Sequence, residues 1–367
     1  CWIFENTTDA FGDVPVQESC RGEEQLYYPK FESQADVYRF IIDSLDVANS
    51  RYNLQKGLQF NTNGDKMYCT SSSDLEGILK WKKFTNSLRL RALLRVIDSD
   101  ELGNLAKAEL KKMMADPATY PVFESNDDNA KVHISGIAPD EAPMTRPSDL
   151  SSYKSLSEFF INRLQAWKDP RLAVFAKQAT NKNPETGKNE KSYIGLPSGY
   201  DVEPTFTASS PNAANLATAP QDIQCLTYAE VLFIKAELAQ RGLISDDAKQ
   251  LYEKAVTAAI TQWGVEVPEA YFENEKAAYD GTLRRIMEQK FYALFFIDFQ
   301  QWFEYNRTGY PDVPKGPGVD ASLHMPYRFK YPAILQRMNR EHYLEAVQSM
   351  GGDDFDTKLI WQKRPEL

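Results

Sequence analysis

The chain of 367 residues carries 42 Lys and Arg against 52 Asp and Glu, a net charge of -10, with 42% apolar residues and 12% aromatics. That apolar share is enough to bury a large core, and the acidic balance argues against an electrostatic grip on nucleic-acid phosphates or an anionic membrane surface. No run approaches the roughly 20 apolar residues of a membrane-spanning helix, and no charged stretch followed by an apolar one opens the chain as a secretion signal would.

The opening "CWIFENTTDAFGDVP" begins on apolar residues with no capping Ser, Thr, Asp or Asn ahead of them, so it reads as the tail of a helix that starts earlier. Trp2-Ile3-Phe4 after Cys1 is neither flexible nor polar, unlike the tether expected behind a lipid-bearing cysteine. Ser33 and Asp36 make a capping-box pattern, and Val37, Ile41, Leu45, Ala48 and Tyr52 then recur at helical spacing. A polar loop at 61–73 leads to a helix from Asp74 that contains "WKKFTNSLRLRALLRV" (81–96). At 100° per residue Trp81, Phe84, Leu88, Ala92 and Val96 share one side, and Leu90, Leu94 and Ile97 the other. The helix must be covered on both sides. Arg95 falls inside the first stripe and Arg91 at its margin, so each is expected to meet a carboxylate or a set of carbonyls, as structural ion pairs between layers.

Residues 116–225 alternate short helical pieces with long Pro, Asn, Gly and Ser-rich loops. Loops of that length are functional or disordered, and the second carries Tyr193, Tyr200, Asp201 and Phe206 among its glycines and prolines. Thr227 and Glu230 cap "YAEVLFIKAELAQRG", which stops at Gly242; Ser245 caps a second helix that stops at Gly264. The pair predicts an antiparallel hairpin, and Ala248, Tyr252 and Ala255 give it the small-large-small pattern of a tetratricopeptide repeat. "IMEQKFYALFFIDFQQWFEYN" is apolar nearly all round and predicts one central buried helix. Strand signals are few, so the class is mainly α.

Catalytic signatures are missing from the sequence: no G-x-S-x-G, phosphate-binding loop or dinucleotide fingerprint occurs. Cysteines 1, 20, 69 and 225 and histidines 133, 324 and 342 stand far apart, which speaks against a zinc site. Asp127-Asp128 and Asp353-Asp354 read as solvated turns, since neighbours on a loop are poorly placed to flank a scissile bond. The expectation is a protein that is not an enzyme and uses no cofactor or metal.

Six stretches in order, "TDAFGDVP" (8–15), "YYPKFESQADVYRFIIDSLDVA" (27–48), "WKKFTNSLRLRALLRV" (81–96), "LTYAEVLFIKAELAQRG" (226–242), "QKFYALFFIDFQQWFEYNRTGYP" (289–311) and "PYRFKYPAILQRMNREHYLEAVQSMGGDD" (326–354), resemble the SusD/RagB family of nutrient-binding outer-membrane lipoproteins. The closing "KLIW" departs from it by lacking a second Trp beside Trp361. The resemblance implies one domain over 1–367, an α/α superhelix with tetratricopeptide-like helix pairs and long ligand-binding loops, the loop-rich insert lying at about 116–225. Family members are lipidated well upstream of the "TDAFGDVP" motif. Cys1 would then be an ordinary mid-chain residue, the N-terminal part of the family domain would be absent, and membrane contact would come only through a lipid anchor upstream.

The implied role is capture of an oligosaccharide, or in some members a peptide, at the cell surface of the outer membrane, and delivery to a SusC-like TonB-dependent transporter. The family has no invariant ligand motif. Position and chemistry therefore choose the glycan-binding candidates: Tyr193, Tyr200, Asp201 and Phe206, with Trp2 and Asn6 added. A helical-repeat scaffold for a protein partner alone is the alternative, and a hydrolase the least favoured reading.

Overall fold

A computed structural model describes residues 1–56, 65–68, 74–141, 150 and 154–363. Helix α1 (Trp2–Phe11) opens the chain, and α2 (Gln34–Arg51) follows with Ser33 as its cap, the hydroxyl accepting from the Asp36 amide at 3.2 Å. The expected loop at 61–73, with Cys69, lies outside the described residues apart from 65–68. In α3 (Asp74–Arg95) both stripes are buried as the spacing requires: Leu88, Leu90, Ala92, Leu94, Val96 and Ile97 are sealed from solvent. With α4 (Gly103–Ala115) these helices build one apolar cluster, closed at the far end of the chain by Trp361.

A second cluster forms downstream. Strand β1 (Ala130–Ile134) precedes α5 (Glu158–Trp167) and α6 (Arg171–Phe175); a β2 (Ala179–Lys182) and β3 (Asn189–Ser192) hairpin and short α7 (Ala213–Leu216) follow. Strand β4 (Gln221–Leu226) returns antiparallel to β1 and leads into α8 (Tyr228–Gln240). Helix α8 lies between the clusters: Val231, Ile234 and Leu238 face the first, Leu232, Phe233 and Ala236 the second. With α9 (Ala248–Thr261) it makes the expected hairpin, Tyr252 stacking edge-on to Phe233 at 6.4 Å. The cap of α9 is Asp247 rather than Ser245, its carboxylate accepting from the Gln250 amide at 3.0 Å. The helix starts two residues later than the pattern suggests, and a carboxylate suits its N-terminal partial charge better than a hydroxyl.

The long helix expected over 286–306 is broken into α10 (Leu283–Ala293) and α11 (Gln300–Thr308), with Phe296 and Asp298 at φ 67° and 34° between them. In one continuous helix Lys290 and Glu304 would stand about 21 Å apart at 1.5 Å per residue. They form an ion pair of 2.7 Å. The break also drives Phe295 against Phe160 and Phe175, with centroids at 4.8 and 4.7 Å, and leaves Phe299 facing out. Tertiary packing overrides the modest helix propensity of this aromatic run. Short α12 (Leu335–Met338) and α13 (Arg340–Met350) complete the described elements.

Charge crosses the interior where the layers meet. Arg91 grips Glu230 with Nε and Nη2 (2.6 and 2.7 Å), and its Nη2 also donates to the Cys225 carbonyl at 3.0 Å. Arg95 meets Asp9 (3.1 Å), Glu304 (2.5 Å) and the Gln300 side-chain oxygen (2.5 Å). Glu304 in turn holds Lys290 and Arg307, and Arg307 continues to Glu237, each at 2.7 Å. Asp128 and Asp353 depart from the solvated-turn reading. Asp128 is buried and accepts from Lys83 at 2.9 Å, while the nearly enclosed Asp353 carboxylate accepts from buried Arg328 at 2.9 Å. Only their neighbours Asp127 and Asp354 are exposed, because each pair straddles an edge where one side chain turns in to a cation.

Glu5 is the outlier of this network. Its carboxylate is wholly buried, and among the described residues neither oxygen has a hydrogen-bond partner and the nearest cation atom, Arg91 Nη1, is 3.9 Å away. Burial outweighs the pull of Arg91 and pushes its pKa up to about 8. A carboxyl raised in the fold above its unfolded value contributes stability below about pH 4.5 that is lost as pH climbs towards 8. Urea midpoints should therefore fall between pH 5 and 8.5, and Glu5→Gln should flatten that slope by on the order of 1 to 4 kcal/mol. Identical slopes in both proteins would mean that Glu5 is already ionised in the fold.

Candidate functional site

The break before α11 builds a surface rich in exposed and half-buried rings. Phe299 is left 53% exposed at the head of α11, with Trp302 half-buried one turn on. Trp302 Nε1 donates to the Pro326 carbonyl at 3.0 Å, which fixes the indole plane. Phe329 closes on both rings, at 5.5 Å from Phe299 and 4.9 Å from Trp302. Its own position is set from behind: the Phe329 amide donates to the Ala10 carbonyl at 2.8 Å, and buried Arg328 ties to the Phe11 carbonyl and to Asp353. With Phe159, Phe291 and Phe355 these rings line a hollow of about 480 Å³.

A second hollow of about 610 Å³ adjoins it, the two sharing a wall of Tyr305, Val313, Met325 and Pro326. Its other lining residues include Ser198, Gly199, Lys315, His324, Asp356 and Lys358. His324 stands between two acceptors, Nδ1 2.9 Å from the Met325 carbonyl and Nε2 3.1 Å from Asp356 Oδ1. The rim is made by backbone lying on backbone: Gly318 N donates to the Gly199 carbonyl at 2.7 Å, and a Cβ at Gly316 would come 1.8 Å from the Ser198 oxygen. No side chain other than hydrogen fits there.

That docking carries the loop singled out in the sequence to the edge of the hollow. Tyr200 and Asp201 are exposed immediately beyond Gly199 at the rim. Phe206, 37% exposed, lies further along, where the Thr207 amide donates to the Asn181 side chain at 2.7 Å. Tyr193 is half-buried against the second apolar cluster, its carbonyl accepting from Gln165. Trp2 packs on the first cluster, its indole N–H buried with no partner among the described residues. Asn6 stands behind Phe299, donating to Asp298 at 3.2 Å and accepting from Gln300 at 3.0 Å. The structure thus brings Tyr200 and Asp201 next to the rim of the polar hollow without lining it, and none of the six onto the aromatic floor.

The floor itself escapes a helical reading of residues 291–303, which assigns those rings to the core. One signal for it was present. In "PYRFKY" Tyr327, Phe329 and Tyr331 alternate with charged residues, yet Phe329 sits 36% exposed between two buried tyrosines. Among the described residues no group of three or more His, Cys, Asp or Glu could hold a metal, and no helix is long and apolar enough to cross a membrane.

Paired helices that carry an open, aromatic-floored groove beside a polar hollow have the build of a ligand-binding protein. A family model agrees over residues 1–332, and the chain belongs to that family, the SusD-like proteins described as "starch-binding associating with outer membrane". Similar solved structures include an outer membrane protein of Bacteroides vulgatus ATCC 8482 with an inferred role in nutrient binding. It is 27% identical with a TM-score of 0.82, the match covering 99% of this chain and 83% of that one. A chitin-binding protein is 26% identical, with a TM-score of 0.79 and coverage of 99% and 79%. A SusD homologue of Bacteroides fragilis NCTC 9343 is 25% identical, with a TM-score of 0.77 and coverage of 98% and 83%. Among curated proteins none is matched. The family is one of outer-membrane-associated nutrient-binding proteins, and the mainly helical fold with its tetratricopeptide-like hairpin is the family's.

Proposed function

We propose that the protein captures an oligosaccharide at the cell surface in the groove floored by Phe299, Trp302 and Phe329, and passes it to a SusC-like TonB-dependent transporter, held at the membrane by a lipid anchor upstream. The single observation that carries this reading is the preset floor: three partly exposed rings fixed to one another and to the Pro326 carbonyl. Flat rings receive the C–H faces of sugar units, and little side-chain entropy is lost because the rings are already held. Tyr200 and Asp201 at the rim would add a second aromatic contact and a pair of acceptors for sugar hydroxyls. The step is binding alone, and no bond in the ligand is broken. Tyr193, Phe206, Trp2 and Asn6 act, on this reading, behind the contact surface by shaping the loop and the base of α11.

Calorimetric titration of the purified chain against neutral and acidic oligosaccharides and short peptides tests the reading. One sugar class should bind with Kd between millimolar and micromolar, about 4 to 8 kcal/mol, and Tyr200→Ala should weaken it about threefold without lowering the melting temperature. Binding confined to peptides, or to nothing in the panel, would overturn the sugar assignment.

A further inference from the structure

The groove does not end with its aromatic floor. The hollow beside it measures about 610 Å³ against about 480 Å³ over the floor, and the two meet along Tyr305, Val313, Met325 and Pro326. Each falls within the roughly 300 to 1,000 Å³ of a pocket that takes a small ligand whole. Met325 is 40% exposed at the junction, so a chain lying on Trp302 and Phe329 passes over it into the second hollow.

The second hollow offers different chemistry. Its tyrosines, Tyr305 and Tyr327, are buried; apolar contact comes from exposed Val319 and Leu323, and polar groups from Lys315, Ser322 and Asp356. That mixture suits the edge of a sugar, where hydroxyls alternate with C–H groups, more than its flat face. Backbone sets the shape. Gly318 N donates to the Gly199 carbonyl at 2.7 Å, and Gly316 and Gly318 lie so close to the Ser198 and Tyr200 carbonyl oxygens that a Cβ at either would collide. The segment 313–327, which supplies most of the lining, is thereby pinned to the loop that carries Tyr200 and Asp201, and the hollow stands formed before a ligand arrives.

We infer that the polar hollow is a second subsite for the same sugar chain, so that the protein selects by length and takes oligosaccharides of about four or more units, which lie over both hollows at once. This rests on the reading of the groove as a sugar site and adds the length of chain it takes. Two contacts made by one molecule turn the second into an intramolecular step, so they multiply rather than compete. A monosaccharide or disaccharide fills one hollow and gains nothing from the other.

The test is titration of the full chain with paired probes: maltose and maltohexaose, chitobiose and chitohexaose, digalacturonate and hexagalacturonate. A hexasaccharide offers a single subsite about five overlapping disaccharide registers, so without the second hollow length is worth only about fivefold. In whichever series binds, the hexasaccharide should be held about thirtyfold or more tightly than the disaccharide. Gly318→Ala forces the rim off the Tyr200 carbonyl, and Ala321→Leu puts an apolar side chain into the hollow. Each variant, checked for an unchanged melting temperature, should return the ratio to about fivefold. A wild-type ratio below about tenfold, or a larger one that survives either variant, overturns the inference and leaves the sugar-capture reading standing. Silence from every series overturns both.

Discussion

Glu304→Ala is expected to yield little folded protein at 37 °C and to lower the urea midpoint of what does fold by the equivalent of about 3 to 5 kcal/mol. Three buried cations converge on this one carboxylate: Arg95 at 2.5 Å and Lys290 and Arg307 at 2.7 Å. Arg95 keeps Asp9 and Arg307 keeps Glu237 when Glu304 is lost. Among the described residues Lys290 keeps no other carboxylate at that range. Burial already holds its pKa below the ordinary lysine value, with Glu304 the main group pulling it back. Truncation would therefore leave an ammonium either charged without a partner or deprotonated in the core. A total stability of about 5 to 15 kcal/mol does not absorb that comfortably.

The companion Lys290→Met/Glu304→Gln variant removes the stranded charge and should recover more than half of the loss, because replacing both partners of a buried pair is far milder than removing one. pH gives an independent reading. Burial would raise the Glu304 pKa, but Arg307, Lys290 and Arg95 outweigh it and hold it well below the usual carboxylate range. A depressed carboxylate contributes stability above its unfolded pKa that is lost as pH falls. Acid unfolding should thus steepen below about pH 4.5 in wild type and be blunted in the double variant. A Glu304→Ala protein within 1 kcal/mol of wild type would show the network to be ornamental.

Local rules made the scaffold readable. Ser33 and Thr227 cap their helices because a hydroxyl at the first turn needs only the amide three residues on. Arginines among leucines on α3 announced carboxylates in the next layer because an unpaired guanidinium is too costly to bury. The groove was not readable by the same rules. Its floor joins Phe159, Phe291, Phe299, Trp302, Phe329 and Phe355, from segments far apart in the chain, and no periodicity connects them. The break that exposes Phe299 contains neither Gly nor Pro; it is imposed by what Phe295 and Glu304 reach, not by residues 294–299 themselves. Asp128 and Asp353 resisted for the same reason, since burial of each depends on a distant cation, Lys83 or Arg328.

That dependence makes Trp302 the most informative position for binding. Trp302→Ala should weaken oligosaccharide affinity by about 2 kcal/mol or more, the cost of truncating a central aromatic anchor, or roughly thirtyfold at 1.4 kcal/mol per decade. Some stability will go with it, because the indole also packs on the first apolar cluster and bonds to Pro326. Phe299→Ala separates the two effects: that ring is 53% exposed, so its loss should leave the melting temperature nearly unchanged while weakening binding several-fold. Trp302→Phe keeps an apolar ring but gives up the Nε1 hydrogen bond that sets the plane, and should fall between wild type and alanine. If the floor works as one surface, the Phe299 and Trp302 losses will not add, since either gap lets the ligand tilt. Wild-type affinity in both alanine variants would remove the aromatic groove from the binding site and shift the search to the Tyr200 rim and the polar hollow beyond it.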